Sequence, residues 1–366
     1  MSRSIVPGTL ARLPWGMLAL ITAICGFGLL VLYSAANANV RPWAFSQGWH
    51  FLLFLCGAIW LSRFREEEIK SVALPIYVIL VLLLIGVEAL GAVGGGSRRW
   101  LDLKIIRLQP SELMKPGIVL ALAWFYDLLP VGETRRWSAI WPAAVLIGVP
   151  FALVMVQPDL GTALMIAFGG LAVVFLAGVP LRLFAGGLLA VAGLTPIALH
   201  MMHDYQRRRI EIFLNPESDP LGSGYHIIQS KIAIGSGGIA GKGFLAGTQS
   251  HLDYLPEGHT DFVFATMAEE WGLIGGIGII IAYLFVIRWG MLVAGRAKTR
   301  FGRLAAAGLS TTIFLYVAIN LAMVMGLAPV VGIPLPLVSF GGSAMMTVLI
   351  CLGVLMAIDR QHHRGG

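Results

Sequence analysis

The chain has 366 residues, 57% of them hydrophobic and 12% charged, and a mean hydropathy of +0.82; soluble domains run at roughly 45–50% apolar and about 25% charged. That excess excludes a cytosolic enzyme, a disordered regulator and a secreted disulfide scaffold. A net charge of +7 reads, in such a chain, as basic residues marking cytoplasmic loops rather than a nucleic-acid surface.

At roughly 20 apolar residues per crossing, the pattern predicts an all-α integral membrane protein, a bundle of about ten transmembrane helices. The apolar segments fall at 15–36, 47–62, 71–91, 112–130, 139–156, 160–178, 181–200, 262–287, 304–326 and 338–357. The first lacks a small-residue cleavage site and is long enough to stay as an anchor. Cys25, Cys56 and Cys351 all lie inside apolar runs, so neither a disulfide framework nor a zinc site is expected. An even number of spans puts both termini on one side. With that side cytoplasmic, 15 of the 26 Lys and Arg residues fall on inner segments, the bias the positive-inside rule asks for.

Two outer segments stand out. One, 92–111, is Gly-rich and carries Arg98, Arg99 and Trp100. The other, 201–260, is a long external loop between the seventh and eighth helices. Connections of that length are usually functional. Within it, 225–234 reads as a short helix lying in the membrane interface. No tandem repeat or separate soluble domain is visible, so 1–366 reads as a single polytopic membrane domain.

Three outer helix starts share a design: Gln109-Pro110-Ser111-Glu112, Gln157-Pro158-Asp159 and His259-Thr260-Asp261. Each places a carboxylate at a helix N-terminus. Capping explains any one of them, because Pro suits the first turn and acids complement the dipole. Three on one membrane face favour a shared outer cavity, since ionisable groups at membrane depth are functional candidates. Glu112 and Lys115 are i,i+3 neighbours and can pair, either as a structural salt bridge or to hold Lys115 for a phosphate. Arg98 and Arg99 beside Trp100 fit either an interfacial belt or a diphosphate site, because guanidinium groups bind phosphate bidentately. Glu269 and Glu270 lie two to three turns into the eighth helix, where at least one must face the interior. Asn320 and Glu88 are weaker candidates of the same kind. The string 235–243 imitates a phosphate-binding loop but has Ser236 and Gly243 at positions that motif reserves for Gly and Ser/Thr. His226, His251 and His259 lack zinc spacing.

Taken together these strings resemble the SEDS family of bacterial cell-wall polymerases. The matching residues are Gly96-Ser97-Arg98-Arg99-Trp100-Leu101, Gln109-Pro110-Ser111-Glu112-Leu113-Met114-Lys115, Gln157-Pro158-Asp159-Leu160-Gly161-Thr162, and Leu255-Pro256-Glu257-Gly258-His259-Thr260-Asp261-Phe262, continuing through Glu269-Glu270 to Gly332-Ile333-Pro334-Leu335-Pro336 and Ser339-Phe340-Gly341-Gly342-Ser343. The Gly-Ile-Pro-Leu-Pro string looks more like the family's elongation branch than its division branch. Phe340 departs from the family's usual Tyr.

The resemblance implies peptidoglycan glycosyltransfer at the outer face of the bacterial cytoplasmic membrane, with lipid II as both donor and acceptor. It implies Asp261 as the catalytic carboxylate. It gives Arg98, Arg99, Trp100, Glu112, Lys115, Asp159, Ser339 and Ser343 as candidates for binding substrate and diphosphate. A divalent cation, Mg or Mn, is the cofactor it suggests. A class B penicillin-binding protein within the elongation complex is the partner it implies. Two rival readings stand beside it. A lipid-linked precursor flippase or transporter fits the spans and the two interior glutamates, although transport sites tend toward the midplane. A noncatalytic scaffold predicts that the carboxylates are dispensable.

Overall fold

Lipid offers the backbone no hydrogen-bond partner, so an apolar run crossing it must close its own N–H and C=O groups as helix. Each of the ten apolar segments is helical over most of its length. The computed structural model describes residues 13–90, 92–94, 97–102, 107–130, 132–201, 207, 211–219, 222–252, 254–255 and 257–362. Its helices are α1 Trp15–Ala35, α2 Trp43–Leu61, α3 Glu66–Leu90, α4 Pro110–Leu128, α5 Trp137–Val156, α6 Leu160–Leu176 and α7 Leu181–Met201. Between α7 and the next long helix lie α8 Ser223–Gly237 and α9 Thr248–His251, followed by α10 Val263–Arg296, α11 Arg300–Val324 and α12 Gly342–His362. Seven of these, α1, α2, α3, α5, α10, α11 and α12, are long and apolar enough to cross a membrane. Of the others, α6 is apolar but has 17 residues, and α4 carries Glu112, Lys115 and Asp127.

Between α3 and α4 the chain forms three short antiparallel strands, β1 Ala92–Gly94, β2 Ser97–Asp102 and β3 Arg107–Leu108, in the order β1-β2-β3. The glycines of this segment, Gly94, Gly95 and Gly96, hide the pairing from a reading of residue types alone.

The helices α4, α11 and α12 form the interior, and α4 is buried at almost every position from Pro110 to Ala123. Close approach there depends on small residues, as in membrane bundles generally. A Cβ on Gly308 of α11 would lie 2.6 Å from both Val119 of α4 and Val173 of α6. At one end of the bundle, charges tie helix termini together. Lys70 bonds Asp127, which also accepts from the Phe301 N–H at 3.0 Å. Glu66 accepts from Thr299, and Arg300 donates to the Leu129 carbonyl. The starts of α4, α6 and α10 lie at the opposite end.

The expected interfacial helix forms as α8, but it is not free at a surface. Its Ser230 is fully buried and donates to the Val324 carbonyl at 2.7 Å, and Gly237 packs on the backbone of Ala268.

The segment that follows, the false phosphate-binding loop, enters a neighbouring helix. The helix α10 is broken at Gly272, whose φ is +64°. In an unbroken helix Leu273 and Ile274 would donate to the carbonyls of Glu269 and Glu270. Instead Leu273 and Ile274 donate to the Gly238 and Ile239 carbonyls at 2.9 and 3.2 Å, and the Glu269 and Glu270 carbonyls accept from the Lys242 and Gly243 N–H groups at 3.0 Å each. The loop thus replaces two rungs of the ladder without leaving a polar group stranded.

Glycine is required at both contact points. A Cβ on Gly241 would sit 2.1 Å from the Glu270 carbonyl oxygen, and one on Gly272 2.3 Å from the Gly241 nitrogen; both residues have positive φ. Replacing either with Ala should lower stability by at least about 1–3 kcal/mol, the scale of such backbone strain. Gly57→Ala, in open space on α2, should instead be neutral or stabilising. Thermal unfolding of the three variants in detergent measures this; equal melting points would remove the claim that the insertion holds the helix.

Candidate active site

The starts of α4, α6 and α10 converge on a cavity of about 720 Å³, within the range of small-ligand sites. Of the residues expected from sequence, Trp100, Glu112, Asp159, Asp261 and Ser343 line it, joined by Glu257, Thr260, Gly332 and Phe340.

The three helix-start carboxylates have different tasks. Asp159 caps α6, its Oδ1 accepting from the Thr162 N–H at 3.1 Å, while its Oδ2 accepts from Gln109 at 3.4 Å. Glu112 lies within the first turn of α4 and is clamped from below by Lys115 and by the Tyr316 hydroxyl. Asp261 caps nothing. The N-cap of α10 is Phe262, with no side-chain cap bond, so Asp261 lies one residue outside the helix.

The backbone of Asp261 is nevertheless fixed. Asn320 donates from one amide nitrogen to the Asp261 carbonyl at 2.9 Å and to the Ile333 carbonyl at 2.7 Å. This joins the carboxylate's segment to the 332–343 string. At Gly332 a Cβ would stand 3.4 Å from Asp261 Oδ2, so the wall at that point is bare backbone.

Burial pushes the Asp261 carboxyl up to about 6, and the nearby Glu257 charge adds to the rise. Both causes act in the same direction, because burial and a neighbouring negative charge each disfavour the ionised form. The His259 imidazole is moved down by burial, against an opposing pull from Glu257.

Lys115 does not line the cavity. It is 1% exposed, with its Nζ held by Glu112, 2.9 Å from the Tyr316 hydroxyl and 4.4 Å over that ring. In this position it neutralises Glu112 and cannot touch a ligand directly. Ser339 is also withdrawn: its hydroxyl accepts from the Leu335 N–H at 2.8 Å and its carbonyl from Gln47 at 2.7 Å, which fixes the turn before Phe340. The side chains of Arg98, Arg99 and Glu88 lie outside the described residues. Among the described lining residues there is no Lys or Arg. No three His, Cys, Asp or Glu side chains are placed to hold a metal ion among the described residues.

Glu269 and Glu270 are absent from this cavity's walls and hold the segment between α8 and α10. Glu269 accepts from Lys242 at 2.6 Å and from the N–H groups of Thr248 and Gln249 at 2.9 Å each, at the start of α9. Glu270 accepts from Ser34 of α1, with His251 at 3.5 Å. Sequence reasoning missed Tyr316. A signal was available, since it stands one turn from Asn320 on α11, at the spacing that shares a helix face.

Comparison with known proteins decides the family. Residues 13–364 match the profile of the FtsW, RodA and SpoVE proteins, described as cell cycle protein. The chain belongs to the SEDS family. The peptidoglycan glycosyltransferase MrdB of Escherichia coli K12 is 44% identical over 343 residues, covering 93% of this chain and 92% of that one. A probable peptidoglycan glycosyltransferase FtsW of Geobacter metallireducens is 33% identical, covering 94% and 93%. Among solved structures, a chain from a study of the structural coordination of polymerization and crosslinking by a peptidoglycan synthase complex matches with a TM-score of 0.84 and 33% identity, covering 96% and 99%. The rod shape determining protein RodA of Thermus thermophilus matches with a TM-score of 0.72 and 29% identity, covering 96% and 98%. The higher identity to MrdB and the RodA fold agree with the elongation branch of SEDS proteins.

The buried Glu112–Lys115–Tyr316 cluster yields a test. Removing one member of a buried pair strands the other and costs about 3–5 kcal/mol, whereas replacing both with neutral groups of similar size is far cheaper. Glu112→Gln and Lys115→Met should each lower the melting point in detergent sharply, and the double variant should recover most of the loss. A Lys115→Met protein as stable as wild type would show that the pair is not structurally coupled.

Proposed function

We propose that this SEDS protein is the peptidoglycan glycosyltransferase of an elongation complex, polymerising lipid II at the outer face of the bacterial cytoplasmic membrane. The observation that carries the proposal is Asp261: a carboxylate free of capping duty, fixed through its own carbonyl, raised to about 6 and set in the wall of the 720 Å³ cavity. A general base works best with a pKa close to the working pH.

In this reading Asp261 takes the proton from the 4-hydroxyl of the acceptor N-acetylglucosamine. The hydroxyl oxygen attacks the anomeric carbon of the donor N-acetylmuramic acid, and the bond to undecaprenyl diphosphate breaks with inversion, giving a β linkage. Arg98 and Arg99, on the β2 strand that brings Trp100 to the wall, are assigned to the departing diphosphate. A divalent cation would arrive on that diphosphate, as Mg²⁺ usually does. The partner is a class B penicillin-binding protein that crosslinks the product, a reading supported by the solved relative's setting in polymerization and crosslinking. A flippase is less well supported, because its two interior glutamates would have to move substrate, whereas Glu269 and Glu270 anchor a loop.

Asp261→Asn tests the base. It preserves shape and removes proton uptake, so lipid II polymerisation in detergent should fall by ~10²–10⁴ with normal expression. A variant keeping a substantial fraction of wild-type rate would move the base elsewhere. The wild-type rate should also fall as pH drops through about 6, because only the deprotonated form accepts a proton. Removing the neighbouring charge with Glu257→Gln should move that limb to lower pH, and an unmoved limb would show that Asp261 does not set it.

We further infer ten spans with both termini cytoplasmic and 201–260 external. In a Cys56→Ser background, an impermeant thiol reagent applied to intact cells should label Leu252→Cys and spare Lys298→Cys. The reverse pattern would invert the topology.

A further inference from the structure

The stretch 271–358 contains no Asp or Glu, and its cations, Arg288, Arg296, Lys298, Arg300 and Arg303, all fall within 288–303. The fold makes that run a hairpin tip, where α10 ends at Arg296 and α11 begins at Arg300, at the end of the bundle opposite the cavity. Arg300 donates to the Leu129 carbonyl. Arg288, Arg296, Lys298 and Arg303 are exposed, and none of these four is in an ion pair among the described residues.

The two carboxylates bonded to this hairpin are already engaged. Glu66 is buried and accepts from Thr299, and Asp127 takes Lys70 and the Phe301 N–H. The first turn of α11 holds no acid, so the positive end of its dipole adds to the same sign. Unneutralised cations gathered at one tip make a field that draws in an anionic partner.

The neighbours of these cations decide which anion fits. Phe285, Met291 and Leu292 are 54%, 44% and 41% exposed, and Arg288, Leu292 and Arg296 follow at spacings of four, so they share one face of α10. Arg288 lies ~12 Å nearer the middle of α10 than Arg296, a depth from which a long side chain covers apolar surface and carries its charge to the head-group layer. A soluble acidic protein or a nucleic acid would leave the apolar side chains uncovered. A phospholipid covers them with its chains, and its phosphate suits a guanidinium group bidentately. We propose that the α10–α11 hairpin tip is a binding surface for the head group of an anionic phospholipid in the leaflet at that end. This goes beyond glycosyl transfer and does not depend on it.

The test uses the full chain in detergent, with native mass spectrometry counting the dioleoyl phosphatidylglycerol or dioleoyl phosphatidylcholine bound per molecule. Phosphatidylglycerol should be retained preferentially. Arg288→Gln, Arg296→Gln, Lys298→Gln and Arg303→Gln should each weaken its binding about fivefold, the scale of one cation at an anionic membrane surface, and leave phosphatidylcholine unchanged. Arg135→Gln with Arg182→Gln, which removes two exposed cations elsewhere on the chain, should leave binding unchanged. Exposed side chains away from packed contacts matter little for folding, so the single variants should melt as the wild type does. Should the fourfold variant fail to fold, Arg296→Gln with Lys298→Gln decides. Equal retention of the two lipids would overturn the proposal. So would a loss in the Arg135→Gln, Arg182→Gln protein as large as in the Arg296→Gln, Lys298→Gln protein, because binding would then follow net charge alone. A polyglutamate peptide that displaces phosphatidylglycerol from the wild type, and binds the fourfold variant no more, would reassign the surface to a soluble acidic partner and overturn the proposal as well.

Discussion

A polar backbone group inside a membrane protein must find a protein partner, and at Gly272 four of them find it in a loop. The carbonyls of Glu269 and Glu270 and the N–H groups of Leu273 and Ile274 all bond to the 238–243 segment. Much else follows from this exchange. It ends the first part of α10 after nine residues. It brings Lys242 and the start of α9 onto Glu269, and it places His251 beside Glu270 and Ser34. The segment from α8 to α9 is therefore a structural member of the bundle, and the chain between it and α10 is the stretch that carries Glu257, His259 and Asp261.

The three carboxylates at helix starts show how one local signal separates into different states. Asp159 spends a lone pair on the Thr162 N–H and stays a cap that also faces the cavity. Glu112 meets a buried ammonium and a phenol. Asp261, one residue beyond its helix, has neither a cap bond nor a cation among its described neighbours, and burial dominates its titration. A displacement of one residue along the chain changes which force wins.

Much of this was legible in the amino-acid sequence. Each apolar run became a helix, because period and length specify that outcome in lipid. The convergence of Glu112, Asp159 and Asp261 followed from putting three helix starts on one face. The break at Gly272 was not legible. It lies inside the apolar run from 262 to 287, and only the contact with Gly241 shows why the ladder opens. The same holds for Lys115, which reads as a phosphate ligand until Tyr316, 201 residues later in the chain, closes over it. Glu269 and Glu270 read as interior charges needing partners, but those partners lie on α1 and the outer loop, separations at which periodicity carries no information.

The nine residues 263–271 span ~13 Å at the helical rise, with the break at one end and Asp261 just past the other. Glu270 joins that rod to Ser34 of α1, and Asn320 joins its other end to α11. A stiff rod pinned near both ends transmits displacement rather than absorbing it. The distance between the Ser34 contact on α1 and the Asp261 backbone is therefore set by one helical segment rather than by a loop.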